Sequence, residues 1–141
     1  MLKIVKLRED ARIPERAYPT DSGLDLFNVD EFTLLIGERK LISTGISIEL
    51  PENCEAQIRP RSGNAFNHGV TVLNSVGTID NSYRGEIKVL LINHGYQPVT
   101  FKAQSKIAQM VIAKVEYPEI VEVDSIYTTE RGAGGFGSTG I

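Results

Sequence analysis

The sequence predicts an all-β protein, an antiparallel jelly-roll-like β-barrel or sandwich with one short helix and a glycine-rich C-terminal tail. Three observations support this prediction. Short runs rich in β-branched residues recur along the chain, and Gly, Pro, Asn or Asp interrupts nearly every gap between them. The length of 141 residues fits a single domain with a substantial core. Five of the 13 glycines fall in the last ten residues, a composition that forms neither a helix nor an ordinary strand by itself.

Strand signals begin at the first residues and continue along the chain. The clearest is the run 46–50, where apolar and polar residues alternate with a period of two until Pro51 ends it. The other predicted strands are residues 2–7, 32–36, 40–42, 54–58, 70–73, 86–92, 99–101 and 120–123.

Two segments are less clear. Residues 106–115 fit one helical face, but they also fit a strand that presents every second residue from Ile107 to Val115 on one side. We predict a strand, because β-branched residues dominate and helix caps are missing. Residues 62–69 predict the single helix, with Ser62 as its N-cap and Gly69 as its stop.

Composition and charge exclude several classes of function. The balance of 15 Lys and Arg against 18 Asp and Glu is the wrong sign for a protein that coats nucleic acid or an anionic membrane. The one cysteine, Cys54, cannot form an internal disulfide, and with only His68 and His94 to help it cannot build a zinc site. Apolar runs are too short to span a bilayer, and the first residues do not resemble a signal peptide. We therefore expect a cytoplasmic protein.

The segment Arg59-Pro60-Arg61-Ser62-Gly63 is a candidate anion site. Two guanidinium groups flank a hydroxyl group at the predicted start of the helix, where backbone N–H groups are available. The alternative is two solvated arginines beside an ordinary helix cap.

A second candidate segment runs from residue 72 to residue 86. Gly77 interrupts an apolar run, so we expect a tight turn there that presents backbone groups. Asn74, Asp80 and Tyr83 lie on either side of it and could bind a flat base, activate a water and press against a sugar. The alternatives are turn chemistry for Asp80 and Asn81, and an ordinary strand aromatic for Tyr83.

Two further segments add polar and aromatic groups. Lys106 and Gln109 supply a cation and an amide. The tail supplies a guanidinium, an aromatic ring and two hydroxyls among its glycines: Arg131, Phe136, Ser138 and Thr139. It is not a Walker A loop, because it lacks the characteristic lysine and a following helix. A tail that folds over a ligand fits this composition, and a functionless flexible terminus is the alternative.

Five segments in this order resemble the ordered motifs of the homotrimeric deoxyuridine triphosphatases (dUTPases). They are residues 21–26, 60–63, 77–86, 106–109 and 131–140, and they extend over nearly the whole chain. The resemblance implies hydrolysis of dUTP to dUMP and pyrophosphate, which limits uracil incorporation into DNA and supplies dUMP.

The resemblance also implies a role for each site residue. Asp80 would be the general base that activates a water for attack on the α-phosphorus. Tyr83 would pack on the deoxyribose and exclude a 2′-hydroxyl, and Phe136 would stack on the uracil. Asp25 would support the metal–water shell or the fold. The other implied contacts are Asn74, Gly77, Thr78 and Ile79 at the uracil and deoxyribose, and Arg61, Ser62, Gly63, Gln109, Arg131, Gly137, Ser138 and Thr139 at the phosphates.

The same resemblance implies a cofactor and an assembly. Mg²⁺ would be held by the triphosphate and waters, with no direct protein ligand. The protein would be a homotrimer with shared active sites, into which the tail of a neighbouring subunit reaches. Residues 1–128 would form the β domain and residues 129–141 a flexible active-site lid. Neither a nucleic-acid polymer nor a membrane is expected as a partner.

Two alternative functions remain open from the sequence. One is a dCTP deaminase of similar fold, and the other is a non-catalytic relative that senses nucleotides or binds a protein. Asp80 with Tyr83, together with the Phe136 tail, favours the hydrolase. One departure from the family pattern is the sequence Gln104-Ser105-Lys106, where Gly-Asp-Arg is expected.

Overall fold

The protein is built from short antiparallel strands. A computed structural model describes residues 1–138 and 140. Its strands are β1 Lys3–Lys6, β2 Leu24–Phe27, β3 Phe32–Leu34, β4 Arg39–Ser43, β5 Ile46–Glu49, β6 Cys54–Arg59, β7 Val70–Val72, β8 Gly77–Ile79, β9 Lys88–Asn93, β10 Val99–Phe101 and β11 Lys106–Lys114. One helix, α1, spans Ser62–His68 between β6 and β7.

The strands form four sheets in which every pairing is antiparallel. The largest has the order β2-β11-β6-β8, and a three-stranded sheet has the order β4-β9-β7. Two-stranded sheets pair β1 with β5 and β3 with β10. The predicted all-β antiparallel fold with one short helix is confirmed. Over the described residues these sheets do not close into a barrel, so a jelly-roll-like sandwich describes them better.

One hydrophobic core joins the two larger sheets. Leu26 and Met110 come from the four-stranded sheet, Val89 and Leu91 from the three-stranded sheet, and all four are buried in the same cluster. Each fully buried aliphatic side chain of this size contributes about 1.5–3 kcal/mol to folding. This core holds the four-stranded sheet, whose strands carry Asp25, Thr78 and Gln109.

Strand β11 confirms the prediction for residues 106–115 but not the predicted face. Its pairing with β2 shifts register between Lys106 and Ala108. A bulge of this kind inserts one residue, so the residues that face the core change parity along the strand. Beyond the bulge Ala108 and Met110 are buried, whereas Gln109 and Val111 are only half-buried.

The helix prediction is confirmed except for its first residue. Arg61 is the N-cap, with φ −98° and ψ 132°, and Ser62 is the first helical residue, so the prediction of Ser62 as N-cap is wrong. Gly69 ends the helix in the left-handed region at φ 67°, as predicted. A Cβ atom there would also lie 2.5 Å from the backbone N of Gly95. Glycine is therefore required at this position for two reasons.

Three strand predictions need correction. Residues 120–123 form no strand; the segment is extended chain with exposed apolar side chains, because no neighbouring strand of the described chain lies beside it to accept its hydrogen bonds. Strands β2 and β8 were not predicted as strands. Every residue of β2 is buried, so it lacks the alternation that marks a half-buried strand.

No helix of residues 1–138 and 140 is long and apolar enough to cross a membrane.

Candidate active site

A first cavity, which we call the Arg61 cavity, has a volume of about 320 Å³ and polar walls. Its walls come from the chain before β2, from β2 and β11, and from the start of α1. They are Ala17, Asp21, Ser22, Gly23, Asp25, Arg61, Ser62, Gly63 and Gln109. The cavity thus brings together all five residues that were expected to bind phosphate in the β body or to support that site. They are Arg61, Ser62, Gly63, Gln109 and Asp25.

Asp25 holds two cations at this cavity. Its Oδ1 lies 3.0 Å from Nε of Arg61, and its Oδ2 lies 2.7 Å from Nζ of Lys106. Asp25 is only 8% exposed. The pairs cross from β2 to the helix N-cap and to β11, so they join segments that are far apart in sequence. Two cations for one carboxylate leave guanidinium N–H groups available to an anion.

Gln109 is positioned by its neighbours on both sides. Its Nε2 donates a hydrogen bond to the carbonyl oxygen of Pro60 at 2.9 Å. A Cβ atom on Gly23 would overlap Gln109 Oε1 and lie 3.1 Å from Cδ. The absence of a side chain at Gly23 therefore makes the room that the Gln109 amide occupies at the cavity wall.

A second cavity, the Tyr83 cavity, has a volume of about 280 Å³. Its walls come from the middle of β4, the end of β8, the start of β9 and the loop between β8 and β9. They are Leu41, Thr78, Ile79, Asp80, Tyr83, Glu86 and Lys88. A carboxylate, an aromatic ring and an apolar wall thus surround one opening, as the predicted nucleoside site requires.

The loop that carries Asp80 is tied to a distant part of the chain. Nδ2 of Asn81 donates to the carbonyl oxygens of Pro51 at 2.7 Å and Cys54 at 3.1 Å. The backbone N of Tyr83 donates to the Asp80 carbonyl at 3.1 Å. Asp80 itself is exposed, and no described residue donates a hydrogen bond to its carboxylate. Its backbone is held while its carboxylate can accept a proton from a water.

Asn74 and Gly77 lie beside the Tyr83 cavity rather than on its walls. Gly77 is the first residue of β8 and pairs with Ile58, so the predicted tight turn at Gly77 is wrong and the turn precedes it. A Cβ atom on Gly77 would lie 3.3 Å from both Ile58 Cβ and Asn74 Nδ2. Glycine fits this position because β6 and the Asn74 side chain occupy the space that a Cβ atom would need.

The tail does not meet either cavity. Arg131, Phe136, Gly137 and Ser138 are exposed, and Phe136 is exposed completely. Arg131 Nε donates to the carbonyl of Gly134 at 3.0 Å, within the tail itself. Thr139 lies outside the described residues. The structure therefore brings together two groups of predicted site residues and leaves the third apart from them.

The two cavities lie at opposite edges of the four-stranded sheet. Asp25 is on β2 at one edge, and Thr78 and Ile79 are on β8 at the other. Three strand spacings separate these edges, which is about 14 Å. No residue lines both cavities among those described.

Comparison with known proteins identifies the family. The dUTPase family profile matches residues 9–140. The deoxyuridine 5′-triphosphate nucleotidohydrolase of Trichodesmium erythraeum (strain IMS101) is 58% identical over 139 residues, which are 99% of this chain and 98% of that protein. The chain belongs to the dUTPase family.

Solved dUTPase structures agree with the fold. The dUTPase of Staphylococcus bacteriophage 80alpha with dUPNHPP has a TM-score of 0.91 and 26% identity, over 100% of this chain and 99% of that chain. A dUTPase from phage phi11 of S. aureus, for which coordination of a structural Mg(II) ion is described, has a TM-score of 0.83 and 24% identity. That pair covers 89% of this chain and 97% of that chain, and at this identity it shows the fold alone.

The side chains at the Arg61 cavity do not form a metal site of their own, but they fit a metal ion that is bound together with a triphosphate. The described residues contain no cluster of three or more His, Cys, Asp or Glu that could hold an ion. Asp21 and Asp25 line the Arg61 cavity, but both Asp25 oxygens pair with cations, and Asp21 Oδ2 accepts from the backbone N of Tyr18 at 3.0 Å. Mg²⁺ characteristically keeps several waters and binds phosphates together with one or two carboxylates. These residues fit an ion that arrives with a triphosphate.

Several residues at the cavity walls were not predicted from the sequence as site residues. Asp21, Ser22 and Gly23 line the Arg61 cavity, and they belong to a motif that the sequence displays. Leu41 and Lys88 line the Tyr83 cavity from β4 and β9. Nothing in the local sequence marks these two, because only the pairing of β4 with β9 brings them to Tyr83. Arg59, one of the two predicted guanidiniums, instead binds Gln57 Oε1.

Proposed function

We propose that the protein is a dUTP diphosphatase that hydrolyses dUTP to dUMP and pyrophosphate, limiting uracil incorporation into DNA and supplying dUMP. Membership of the dUTPase family supports the reaction. The observation that carries the assignment to residues is the Tyr83 cavity, where an exposed carboxylate and an aromatic ring share one opening. The single buried cysteine, Cys54, supports a reducing cytoplasmic location.

Asp80 is the general base in this proposal. It takes a proton from a water as the oxygen of that water forms a bond to the α-phosphorus. The bond from this phosphorus to the oxygen that bridges to the β-phosphorus breaks, and the electron pair leaves with pyrophosphate. General-base catalysis of this kind contributes about 10²–10⁴-fold in rate. The anchored loop supports this role, because Asn81 holds the backbone beside Asp80.

The Arg61 cavity is the phosphate site. Arg61, the Ser62 hydroxyl, Gly63 and the Gln109 amide offer hydrogen-bond donors to phosphate oxygens. Asp25 acts as a support, because it orients Arg61 and Lys106 without meeting the anion itself. When Mg²⁺ is bound with the triphosphate, it neutralises charge that develops on the phosphate oxygens.

The turn between β7 and β8, the strand β8 and Tyr83 give the nucleoside specificity. Backbone groups near Gly77, Thr78 and Ile79, with the Asn74 amide, form hydrogen bonds with the uracil edge. Cytosine would leave such groups unpaired, and a site of this kind can reject a mismatched partner by about 10⁴-fold. The ring of Tyr83 packs on the deoxyribose and leaves no room for a 2′-hydroxyl.

The separation of the two cavities supports a homotrimer with shared active sites. Asp80 and the phosphate donors must act on one triphosphate, yet they lie at opposite edges of one sheet. A neighbouring subunit can supply the missing half. The segment after β11 supports association, because it leaves several large apolar side chains in solvent: Tyr117, Ile120, Val121, Val123, Ile126 and Tyr127.

Residues 129–141 form the lid of a neighbour's site, and residues 1–128 form the β domain. In this arrangement Phe136 covers the uracil, while Arg131, Gly137, Ser138 and Thr139 bind the phosphates. The complete exposure of Phe136 supports a ligand as its partner. Deletion of the residues after Glu130 is expected to leave a folded protein with almost no activity. Full activity of that truncated protein would refute the lid.

The decisive assay is pyrophosphate release from dUTP with Mg²⁺, beside dCTP, dTTP and UTP. We expect rapid release from dUTP alone. Ammonia release from dCTP would instead indicate a deaminase, and inactivity on all four nucleotides would indicate a non-catalytic relative.

A mixing experiment tests the shared site. Asp80→Asn protein is mixed with protein truncated after Glu130, under conditions where exchange of subunits is demonstrated separately. Activity should partly return, because some sites then combine an intact Asp80 with an intact tail. No recovery despite exchange would show that each site is contained within one subunit.

A further inference from the structure

The ring of Tyr83 lies against the backbone of Gly85. A Cβ atom built on Gly85 would overlap the Tyr83 Oη and would lie 2.5 Å from Cζ and 3.0 Å from Cε2. Distances below 3.0 Å do not occur for real Cβ atoms, so an alanine there must displace something. Gly85 is not in the left-handed region, since the φ angles in that region belong to other glycines. The backbone therefore accepts alanine, and the conflict is with the ring.

The backbone around Gly85 is held more firmly than the ring. Ser47 Oγ donates to the carbonyl of Arg84 at 2.7 Å, and the carboxylate of Glu86 accepts from the backbone N of Gly45 at 2.9 Å. Among the described residues the Tyr83 side chain makes one hydrogen bond, from its Oη to the Glu86 carbonyl at 3.1 Å, and Tyr83 is 45% exposed. Since the ring is the weaker partner, a methyl group on residue 85 moves the ring.

The direction of that movement follows from the cavity. Tyr83 contributes to the wall of the Tyr83 cavity, whereas Gly85 is not among the described residues that line it. The ring thus stands between Gly85 and the opening. A methyl group behind the ring pushes it forward, into a space of only about 280 Å³.

We propose that Gly85 is a positioning residue that sets the depth of the sugar pocket, by letting the Tyr83 ring lie back against the chain. The inference rests on the proposed function, in which that ring packs on the deoxyribose. It adds a determinant of substrate fit that acts through Tyr83 and does not itself touch the nucleotide.

The test is Gly85→Ala, assayed with dUTP and compared with Tyr83→Ala and the double variant. In Gly85→Ala we expect kcat/KM to fall about tenfold or more, mainly through KM, since misfits of about one methylene cost 10–200-fold. In the Tyr83→Ala background the same glycine change should alter kcat/KM less than twofold, because no ring remains to be displaced. A role confined to backbone stability would cost the same in both backgrounds.

Each outcome of these experiments decides for or against the inference or the proposed function. A Gly85→Ala protein within twofold of the wild type, or an equal loss in both backgrounds, would overturn the inference while leaving the proposed function intact. If Gly85→Ala alone does not fold, a double variant that folds supports the inference and one that does not fold overturns it. A crystal structure of Gly85→Ala gives a readout without activity, with the ring displaced by about 1 Å or more toward the cavity. A wild-type protein that releases no pyrophosphate from dUTP rejects the proposed function itself.

Discussion

The β body and the tail hold their proposed site residues by different means. In the body, Asp25 pairs with Lys106 and Asn81 binds Pro51, so contacts between distant segments fix each cavity. In the tail, each hydrogen bond that the described residues make joins groups three positions apart, as from Gly132 to Thr129. The body is organised by tertiary structure, whereas the tail consists of successive local turns.

This difference determines when each part loses its conformational freedom. Ordering a residue's backbone costs about 1–2 kcal/mol. In the body the folding of the core offsets this cost before any ligand arrives. In the proposed lid, the tail offsets this cost only when it binds the ligand. Substitutions in the body should therefore change stability, substrate fit or the chemical step, while those in the tail should change activity without changing the stability of the body.

The largest expected effect is on the chemistry of the body. Asp80→Asn should lower kcat for dUTP at least about 100-fold, because the amide cannot accept the proton of the attacking water. The dissociation constant for a non-hydrolysable dUTP analogue should change little, as should the melting temperature. Undiminished turnover would show that Asp80 is not the general base. The β body would then no longer differ from the tail in carrying the chemical step.

The next largest effect should come from the tail. Phe136→Ala should lower kcat/KM about 5–150-fold, because stacking of an aromatic ring on a base is worth about 1–3 kcal/mol. The melting temperature should not change, since Phe136 packs on nothing within the described chain. Tyr96→Ala is the matched control, an aromatic that is 97% exposed and lines neither proposed site cavity. Equal loss of activity in both variants, or a lower melting temperature for Phe136→Ala, would contradict the distinction.

Local patterns were sufficient to predict much of the body. The all-β class, the helix and its stop at Gly69, and the strand at residues 106–115 follow from spacing and turn residues, and the structure confirms them. The motifs placed Arg61, Ser62, Gly63 and Gln109 in one group, and the structure brings these four together at the Arg61 cavity. It leaves the tail members of the same predicted group apart, namely Arg131, Gly137 and Ser138.

Features set by pairing between strands could not be predicted. The bulge in β11 depends on its fit to β2, so no local pattern marks the change of face after Lys106. Residues 120–123 have a strand composition but gain no partner within the described chain. The separation of the site into two cavities depends on the strand order β2-β11-β6-β8, which the sequence does not display.

A smaller effect on stability should distinguish a partly buried ion pair from an exposed one in the body. Asp25→Asn should lower the free energy of unfolding by about 1–2 kcal/mol, below the usual cost of breaking a fully buried pair, because Arg61 and Lys106 are partly in water. Asp30→Asn is the control, since its exposed pair with Arg8 should contribute at most about 1 kcal/mol. Urea denaturation at one protein concentration measures both. Equal values would mean that Asp25 does not organise the cavity.

The smallest effect concerns a contact of the body that is as local as those of the tail. The backbone N of Leu35 donates to Glu38 Oε2 at 2.7 Å, and Lys40 Nζ lies 3.0 Å from Oε1. The hydrogen bond from Leu35, as the larger cause, and Lys40 hold the pKa of Glu38 below its ordinary value.

A carboxyl group whose pKa is lowered by folding stabilises the protein above its unfolded pKa, and this contribution disappears as the pH falls through the folded pKa. Glu38→Gln should therefore lower the melting temperature slightly at pH 7, and the difference from the wild type should disappear as the pH falls through the folded pKa of Glu38. Glu52→Gln, which makes the same change in net charge in an exposed turn, is the matched control. If Glu38→Gln instead destabilised the protein as much as Asp25→Asn, local contacts would be strong enough to order the tail without a ligand, and the difference between the two parts would lose its physical basis.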